Sequence, residues 1–401
     1  MQALYSVERL LAAVLLTTSG TGALSQWLSL AAAVYLLAGL LAFLWRVRWL
    51  LILGIRVARG MPGPRARRRA LCTFAARPPT VPPQGQWPDV IVASTMRSGG
   101  TWASHIAHQF RMRGAPPEFF WQEDVVPWLD LHQDLFGIPS HQHPQPCLPR
   151  LFRATASWCD LVDAGIIRSE PGGALRPTDS KVIYIFRDLC DVCYSLFFYF
   201  PALFQVDSVF IHLEDFVWCA RLLVVERALW SLVHFWRRRH DPGILFLFFD
   251  DLFADNSEWG AIRRIAEFVG GAGGVSEELL AQVAQQCRHQ TMSNDDNWDR
   301  FSGMSVAVLI SERLGVGYRY ELEPYLGKVS RIGGKSGQGR RVLGDAIRGM
   351  FDHKWRQIVT KELGFESLEE MQRVRREEIM QERGGARAGD RASSTNGGAN
   401  G

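Results

Sequence analysis

Several signatures are missing from this chain of 401 residues, and each absence removes a class of function. The spacing GxxxxGK(S/T) occurs nowhere, so a Walker-type phosphate loop has no lysine to rest on, which argues against a P-loop nucleotide kinase. Cysteine is sparse and odd in number: Cys72, Cys147, Cys159, Cys190, Cys193, Cys219 and Cys287 are scattered. Cys190 and Cys193 form a single CxxC with no second copy and no histidine pair nearby, so buried reduced thiols are a simpler reading than a metal or redox centre. No Asn-x-Ser/Thr sequon is present, although lumenal domains often carry one. Acidic residues are absent from the stretch holding Arg46, Arg48, Arg56, Arg59, Arg65, Arg67, Arg68 and Arg69. Those eight arginines outweigh the whole net charge of +4, so everything after them is mildly acidic. A nucleic-acid partner would need its basic surface on the folded body and is not expected.

What the chain does have is apolar material: 47% of its residues are hydrophobic and 21% charged, enough for one large domain with an appendage. Trp27 to Trp45 is uncharged, and at 1.5 Å per residue it approaches the roughly 30 Å of a bilayer core. Trp27 and Trp45 stand at its ends, where interfacial aromatics belong. A transmembrane helix at about 27–45 is therefore expected. The run is too long for a signal peptide and has no basic region just ahead of it, and Leu10 to Leu16 is too short to span alone. Residues 1–58 read as a membrane-anchor region, 59–88 as an extended Pro/Arg-rich linker, 89–383 as the folded domain and 384–401 as a disordered Gly/Ala/Ser/Asn tail. No internal repeat is found.

Within the folded domain, Val90–Ala93, Val182–Phe186 and Ile244–Phe249 are short, unbroken apolar runs. Helix-like sequence follows each, at Ser98–Arg111, Asp188–Phe200 and Trp259–Val269. Uninterrupted apolar strands alternating with helices indicate a parallel sheet covered on both faces. The expected class is α/β, a P-loop-like three-layer fold with helices flanking a central parallel sheet.

The first strand runs into STMRSGGTW, Ser94 to Trp102, and then into a helix with Trp102, Ile106 and Phe110 on one face. Strand, glycine-bearing loop and helix N-terminus together present backbone N–H groups to an anion. Gly99 and Gly100 allow close backbone approach, and Arg97 adds a forked cationic donor. The second segment, KVIYIFRDLCDVCYSLFFYF, puts Arg187 at the end of a buried strand and Ser195 about two helical turns further on. Together they offer a guanidinium fork and a hydroxyl to one phosphate.

On these two segments the chain resembles the PAPS-dependent sulfotransferase family (PAPS is 3′-phosphoadenosine 5′-phosphosulfate, and PAP its product after transfer). STMRSGGTW is similar to the family's 5′-phosphosulfate loop PKSGTTW, with Arg97 on the lysine and Gly100 in place of a threonine. The resemblance implies that Ser98, Gly99, Gly100 and Thr101 hold the 5′-phosphate, that Arg97 neutralises it as it leaves, and that Trp102 stacks on the adenine. It implies that Arg187 and Ser195 hold the 3′-phosphate. RIGGKSGQG, Arg331 to Gly339, lies where the family keeps a basic loop that closes over that phosphate, which makes Arg331, Gly333 and Lys335 candidates. Further similarity at ILFLFFDDLFADN and IRRIAEFVG extends it over about Val90 to Met371.

The pattern breaks at one point. Where the family has a strand ending in KTH, whose histidine deprotonates the acceptor, this chain reads PRLFRATASW: Arg153 falls on the lysine and Thr155 on the histidine. Threonine is no base near neutral pH. Either another group serves, with Glu123, His141 and His143 as candidates, or the acceptor needs little help, or the chain binds nucleotide and transfers slowly or not at all. The resemblance thus implies a sulfotransferase that uses PAPS, without a metal, on a hydroxyl or amine of a small-molecule, lipid or glycan acceptor. The alternatives are a catalytically weak or inactive PAPS/PAP-binding protein of the same fold, or a nucleotide kinase. The arginines that follow the expected anchor favour a catalytic domain on the cytosolic face, with the Golgi lumen as the alternative.

Overall fold

The computed structural model describes residues 23–76, 88–169, 175–177, 180–253, 260–270, 275–294, 297, 299–327 and 336–396. Four strands build the central sheet: β1 (Asp89–Ser94), β2 (Leu151–Ala154), β3 (Ser180–Phe186) and β4 (Ile244–Phe248). They lie in the order β2-β1-β3-β4 and every pair is parallel. Their sequences are continuous apolar runs because both faces are covered. Ile91, Ala93, Val182, Tyr184 and Phe186 point into one core, while Val90, Val92, Ile183 and Ile185 point into the other, with the period of two that a pleated strand imposes.

Each core is closed by helices. On one side lie α3 (Gly100–Arg111) and the helix Ala261–Gly270, contributing Trp102, Ile106, Ile262 and Ile265. On the other lie α4 (Leu189–Leu203) and the 25-residue helix Leu213–Arg237, with Val192, Leu196, Leu229 and Phe235. This is the three-layer α/β arrangement expected from the alternation of strands and helices. β2 lies on one side of β1 and β3 on the other, so the chain's direction of travel across the sheet reverses at β1, and the loops leaving β1 and β3 open into the crevice such a switch creates.

The segment ahead of β1 departs from the extended linker expected over 59–88. Pro64–Ala75 is a helix, α2. Pro64 occupies its first turn, where a missing N–H costs nothing, and Leu71 and Phe74, three residues apart, are buried on one face. Phe74 meets the ring of Phe152 on β2 edge-on, with centroids 4.9 Å apart. The Pro-Pro pairs themselves lie in 77–87, outside the described residues. At the other end, the helix Leu368–Asn396 continues past Gly384, where the sequence reading expects a disordered tail. Arg383 pairs with Glu267 at 2.9 Å, which ties the helix to the domain just before Gly384.

Ahead of α2, the helix α1 spans Ala23–Gly60. Its C-terminal half is seated on the domain. Leu53 is buried, Trp49 stacks on Phe210 at 4.8 Å, and Arg56 donates to the carbonyls of Phe204 and Gln205 at 3.0 and 2.8 Å. Further towards the N-terminus, Leu30, Val34, Leu37, Leu40, Phe43 and Trp45 are exposed. No single described helix is long and apolar enough to cross a membrane, although Leu30–Trp45 together with Val47–Ala75, bent by 40°, pass that test as a pair.

The docking of α2 has a direct test. Phe74→Ala should cost about 3–5 kcal/mol of unfolding free energy in a urea titration, as for a fully buried aromatic. A cost under about 1 kcal/mol, in the range of exposed substitutions, would return the segment to a loose linker.

Candidate active site

The turn after β1 is built by conformation and close packing. Arg97 and Gly99 adopt φ of 68° and 98°, both left-handed. A side chain on Gly99 would come within 2.8 Å of Phe249, and one on Gly100 within 2.5 Å of the Ser94 hydroxyl. Two glycines are therefore required where the chain folds back to start α3. Gly99 at the N-cap has no side chain to cap the helix, so the first-turn amides remain available to an anion. Ser98 and Thr101 are buried within this turn.

Arg187 leaves β3 beside it. It is buried, and one of its terminal nitrogens donates to the Arg97 carbonyl at 3.2 Å. Its Nε and Nη2 have no hydrogen-bond partner among the described residues. Asp191 is 3.9 Å from Nη2, beyond hydrogen-bonding reach. The acids that act on this guanidinium, Asp191, Asp250 and Asp188, have hydrogen bonds elsewhere, Asp250 accepting from the Gln372 side-chain amide at 2.6 Å. Asp191 accepts from the amides of Gly337 and Gly339 at 2.8 and 2.6 Å. Asp188 caps α4 through the amides of Cys190 and Asp191 and pairs with Arg340 at 2.9 Å. Burial lowers the Arg187 pKa, with Asp191 opposing the shift. Two buried donors without acceptors would be costly unless an anion completes them.

Arg97 crosses from the turn to α4. Its Nε donates to the Ser195 hydroxyl at 2.9 Å and Nη1 to the Gly327 carbonyl at 3.0 Å, with the guanidinium 4.6 Å over the Tyr199 ring. Burial brings it down to about 10, so it stays a cation at neutral pH. Ser195 thus lies against Arg97, whose carbonyl accepts from Arg187. Gly327 precedes the 328–335 segment and Gly337 follows it, and both are tied to this site. Arg331, Gly333 and Lys335 themselves lie outside the described residues.

Arg97, Gly100, Thr101, Arg153, Thr155 and Arg187 all line one cleft of about 690 Å³ that is open to solvent. Trp102 lines it too, fixed by its indole N–H on the Cys287 carbonyl at 2.6 Å and by edge contacts with Phe253 and His289. Arg153, on β2, stands 4.4 Å over the Trp128 ring, and burial lowers its pKa while Glu123, foremost among its neighbours, raises it. Glu123 is buried behind Arg153 rather than on the cleft wall. His143 lies against His132 at 3.2 Å and the Asp124 carbonyl at 2.9 Å, and the His141 carbonyl accepts from Arg150. Neither of these two histidines lines the cleft.

Three participants were not singled out by sequence reasoning. Tyr199 lines the cleft, its hydroxyl pushed up to about 12 by burial, so it is neutral and able to donate. Asp130 sits behind Thr155, and Arg67 reaches both of them from α2. A carboxylate inside the apolar run VVPWLDL was the available signal for Asp130, and Arg67 was hidden in an arginine run read as linker. Cys190 and Cys193, the CxxC pair, are buried in α4, with the Cys193 thiol pushed up to about 12 and that of Cys190 pushed up as well. Neither is a reactive thiolate near neutral pH.

The sulfotransferase-domain family model matches residues 87–300. Among solved structures, retinol dehydratase in a complex with retinol and PAP is 19% identical, covering 73% of this chain and 86% of that one, with a TM-score of 0.49. Retinol dehydratase with androsterone and inactive cofactor PAP is 18% identical over 73% and 85% of the two chains, at a TM-score of 0.49. Mouse sulfotransferase SULT7A1 complexed with PAP is 13% identical over 74% and 89%, at 0.45. No curated protein matches the chain.

Proposed function

The chain belongs to the sulfotransferase family, and on that premise we propose that it transfers a sulfuryl group from PAPS to a hydroxyl or amine acceptor, PAP being the product. The observation that carries this reading is the buried Arg187 fork, with Nε and Nη2 unpartnered among the described residues, beside a glycine turn that gives its helix no side-chain cap. Two anion sites at the ends of adjacent parallel strands suit a nucleotide with phosphates at both ends of its ribose. Arg187 and Ser195 would take the 3′-phosphate. The amides of Gly99–Thr101, with Ser98 and Thr101, would take the 5′-phosphate, and Trp102 the adenine. The 328–335 segment, tethered at Gly327 and Gly337, would bring Arg331, Gly333 and Lys335 over the 3′ end.

Sulfuryl transfer, like phosphoryl transfer, passes through a loose in-line transition state that needs positioning and charge stabilisation more than covalent chemistry. Arg97 and Arg153 flank the cleft where the moving group and the leaving phosphate would lie, and both are cations fixed by aromatic faces. Met96, Trp128 and Tyr199 add apolar and aromatic wall for a small-molecule, lipid or glycan acceptor. Thr155 at the family's base position favours a second reading, in which the nucleotide binds but transfer is slow or absent. Residues 89–383 are proposed as the catalytic domain.

The exposed apolar half of α1 is proposed as the membrane segment, single-pass, with the domain on the cytosolic face. At 1.5 Å per residue the seated Leu53 is only about 12 Å along the helix from Trp45, so the domain would ride close to the bilayer rather than on a tether.

Two measurements follow. PAP and PAPS should raise the melting temperature well beyond any effect of ATP, and Arg187→Ala should weaken PAP binding by about 1.5–3 kcal/mol, as expected on losing a charge-assisted contact. No shift with PAP or PAPS at saturation would end the donor assignment. In sealed vesicles with the native outer face exposed, the cytosolic reading predicts digestion of the domain by added protease. Protection until detergent is added would place it in the lumen.

A further inference from the structure

Thr155 holds the place where the family's base is expected, yet it cannot itself keep a proton. Its surroundings supply a group that can. The Thr155 hydroxyl donates to Asp130 Oδ2 at 2.7 Å, and the Thr155 amide donates to Asp130 Oδ1 at 3.2 Å. Arg67, from α2, donates through Nη2 to Asp130 Oδ2 at 2.5 Å and to the Thr155 hydroxyl at 2.9 Å. The arrangement is set by the backbone: Leu129 N–H donates to the Arg153 carbonyl at 2.7 Å and Arg153 N–H to the Pro127 carbonyl at 3.0 Å. The 127–129 segment is thereby pinned along β2, and Asp130 arrives next to Thr155.

The hydrogen-bond inventory of that hydroxyl decides its use. A threonine oxygen has one proton and two lone pairs. The proton is on Asp130 and one lone pair takes Arg67, which leaves one lone pair. Thr155 lines the cleft, whereas the Asp130 carboxylate has no exposed surface. Asp130 therefore meets an acceptor through Thr155.

We propose that Asp130 is the proton acceptor of this enzyme, working through Thr155 as a one-hydroxyl relay, with Arg67 fixing both. This rests on the sulfotransferase reading above. As the acceptor oxygen bonds to sulfur, the bond from sulfur to the 5′-phosphate oxygen breaks and that oxygen keeps the electron pair. The acceptor's proton passes to Thr155 Oγ1 while the threonine's own proton passes to Asp130 Oδ2. After product leaves, the reverse relay returns the proton to solvent. Transfer is required only late in such a loose transition state, so a carboxylate held by an arginine suffices. The charges acting at Asp130 are Arg67, Arg153 and Arg227. The relay also makes the membrane-proximal helix α2 part of the active site.

The test needs no knowledge of the natural acceptor, because water can take the sulfuryl group. Release of labelled sulfate from PAPS by the full-length protein is followed at neutral pH, with PAP-induced stabilisation measured in parallel. Wild type should hydrolyse PAPS above the buffer rate. Asp130→Asn keeps the shape and an acceptor for the Thr155 proton. It and Thr155→Val should each lose about 100-fold or more in rate while keeping the PAP shift. Thr155→Ser, which keeps the hydroxyl, should stay within a few-fold of wild type. Hydrolysis by Asp130→Asn or Thr155→Val at the wild-type rate, or none above buffer by wild type that still responds to PAP, would overturn the relay. Absence of any PAP response in wild type would instead bring down the sulfotransferase reading beneath it.

Discussion

A guanidinium buried at the end of β3, with two of its donors unpartnered among the described residues, is the constraint around which the rest of the site is arranged. Leaving such donors unmet in a low-dielectric interior costs free energy, and a fold tolerates it where a ligand repays it. The surrounding acids are kept off: Asp188 is used as a helix cap and on Arg340, and Asp191 on the amides of Gly337 and Gly339. Asp191 stays within ion-pair range of Nη2, at 3.9 Å, but short of a hydrogen bond. Both carboxylates tie the chain that follows residue 335 to the N-terminus of α4. The same guanidinium grips the Arg97 carbonyl, so the glycine turn and the β3 terminus are fixed to each other.

Arg97 extends that coupling to Ser195, and through Gly327 to the far side of the 328–335 segment. A second coupling runs the other way, from α1 and α2 into the cleft. α1 is seated on the domain by Leu53, Trp49 and Arg56, and α2 by Leu71 and Phe74, which brings Arg67 to Asp130 and Thr155. In the proposed relay α2 supports the cleft from behind, through Arg67 on Asp130 and Thr155.

The strands and their helices were legible in the sequence because their physics is local. A run such as VIYIF has to be a doubly covered strand, and a Gly-Gly turn between strand and helix has few other uses. Arg187 and Ser195 were legible through strand end and helix spacing; Arg187 meets Arg97 and Arg153 in one cleft, as parallel topology requires, and Ser195 is held to it through Arg97. What was not legible depends on contacts distant in sequence. Arg67 and Asp130 are 63 residues apart, and nothing in RARRRA distinguishes the one arginine that is half-buried on a carboxylate. The helical state of Pro64–Ala75 was obscured by flanking prolines and glycines, although Pro64 itself is a helix-start residue. Tyr199 looked like one more aromatic in an apolar helix, and only its position between Arg97 and Arg153 sets it apart.

The most direct test of the central claim is the structure of the protein in complex with PAP. It should place the 3′-phosphate within hydrogen-bonding distance of Arg187 Nε and Nη2 and the 5′-phosphate on the amides of Gly99 to Thr101. A nucleotide bound elsewhere, or a PAP complex in which the Arg187 fork stays unpartnered, would contradict it.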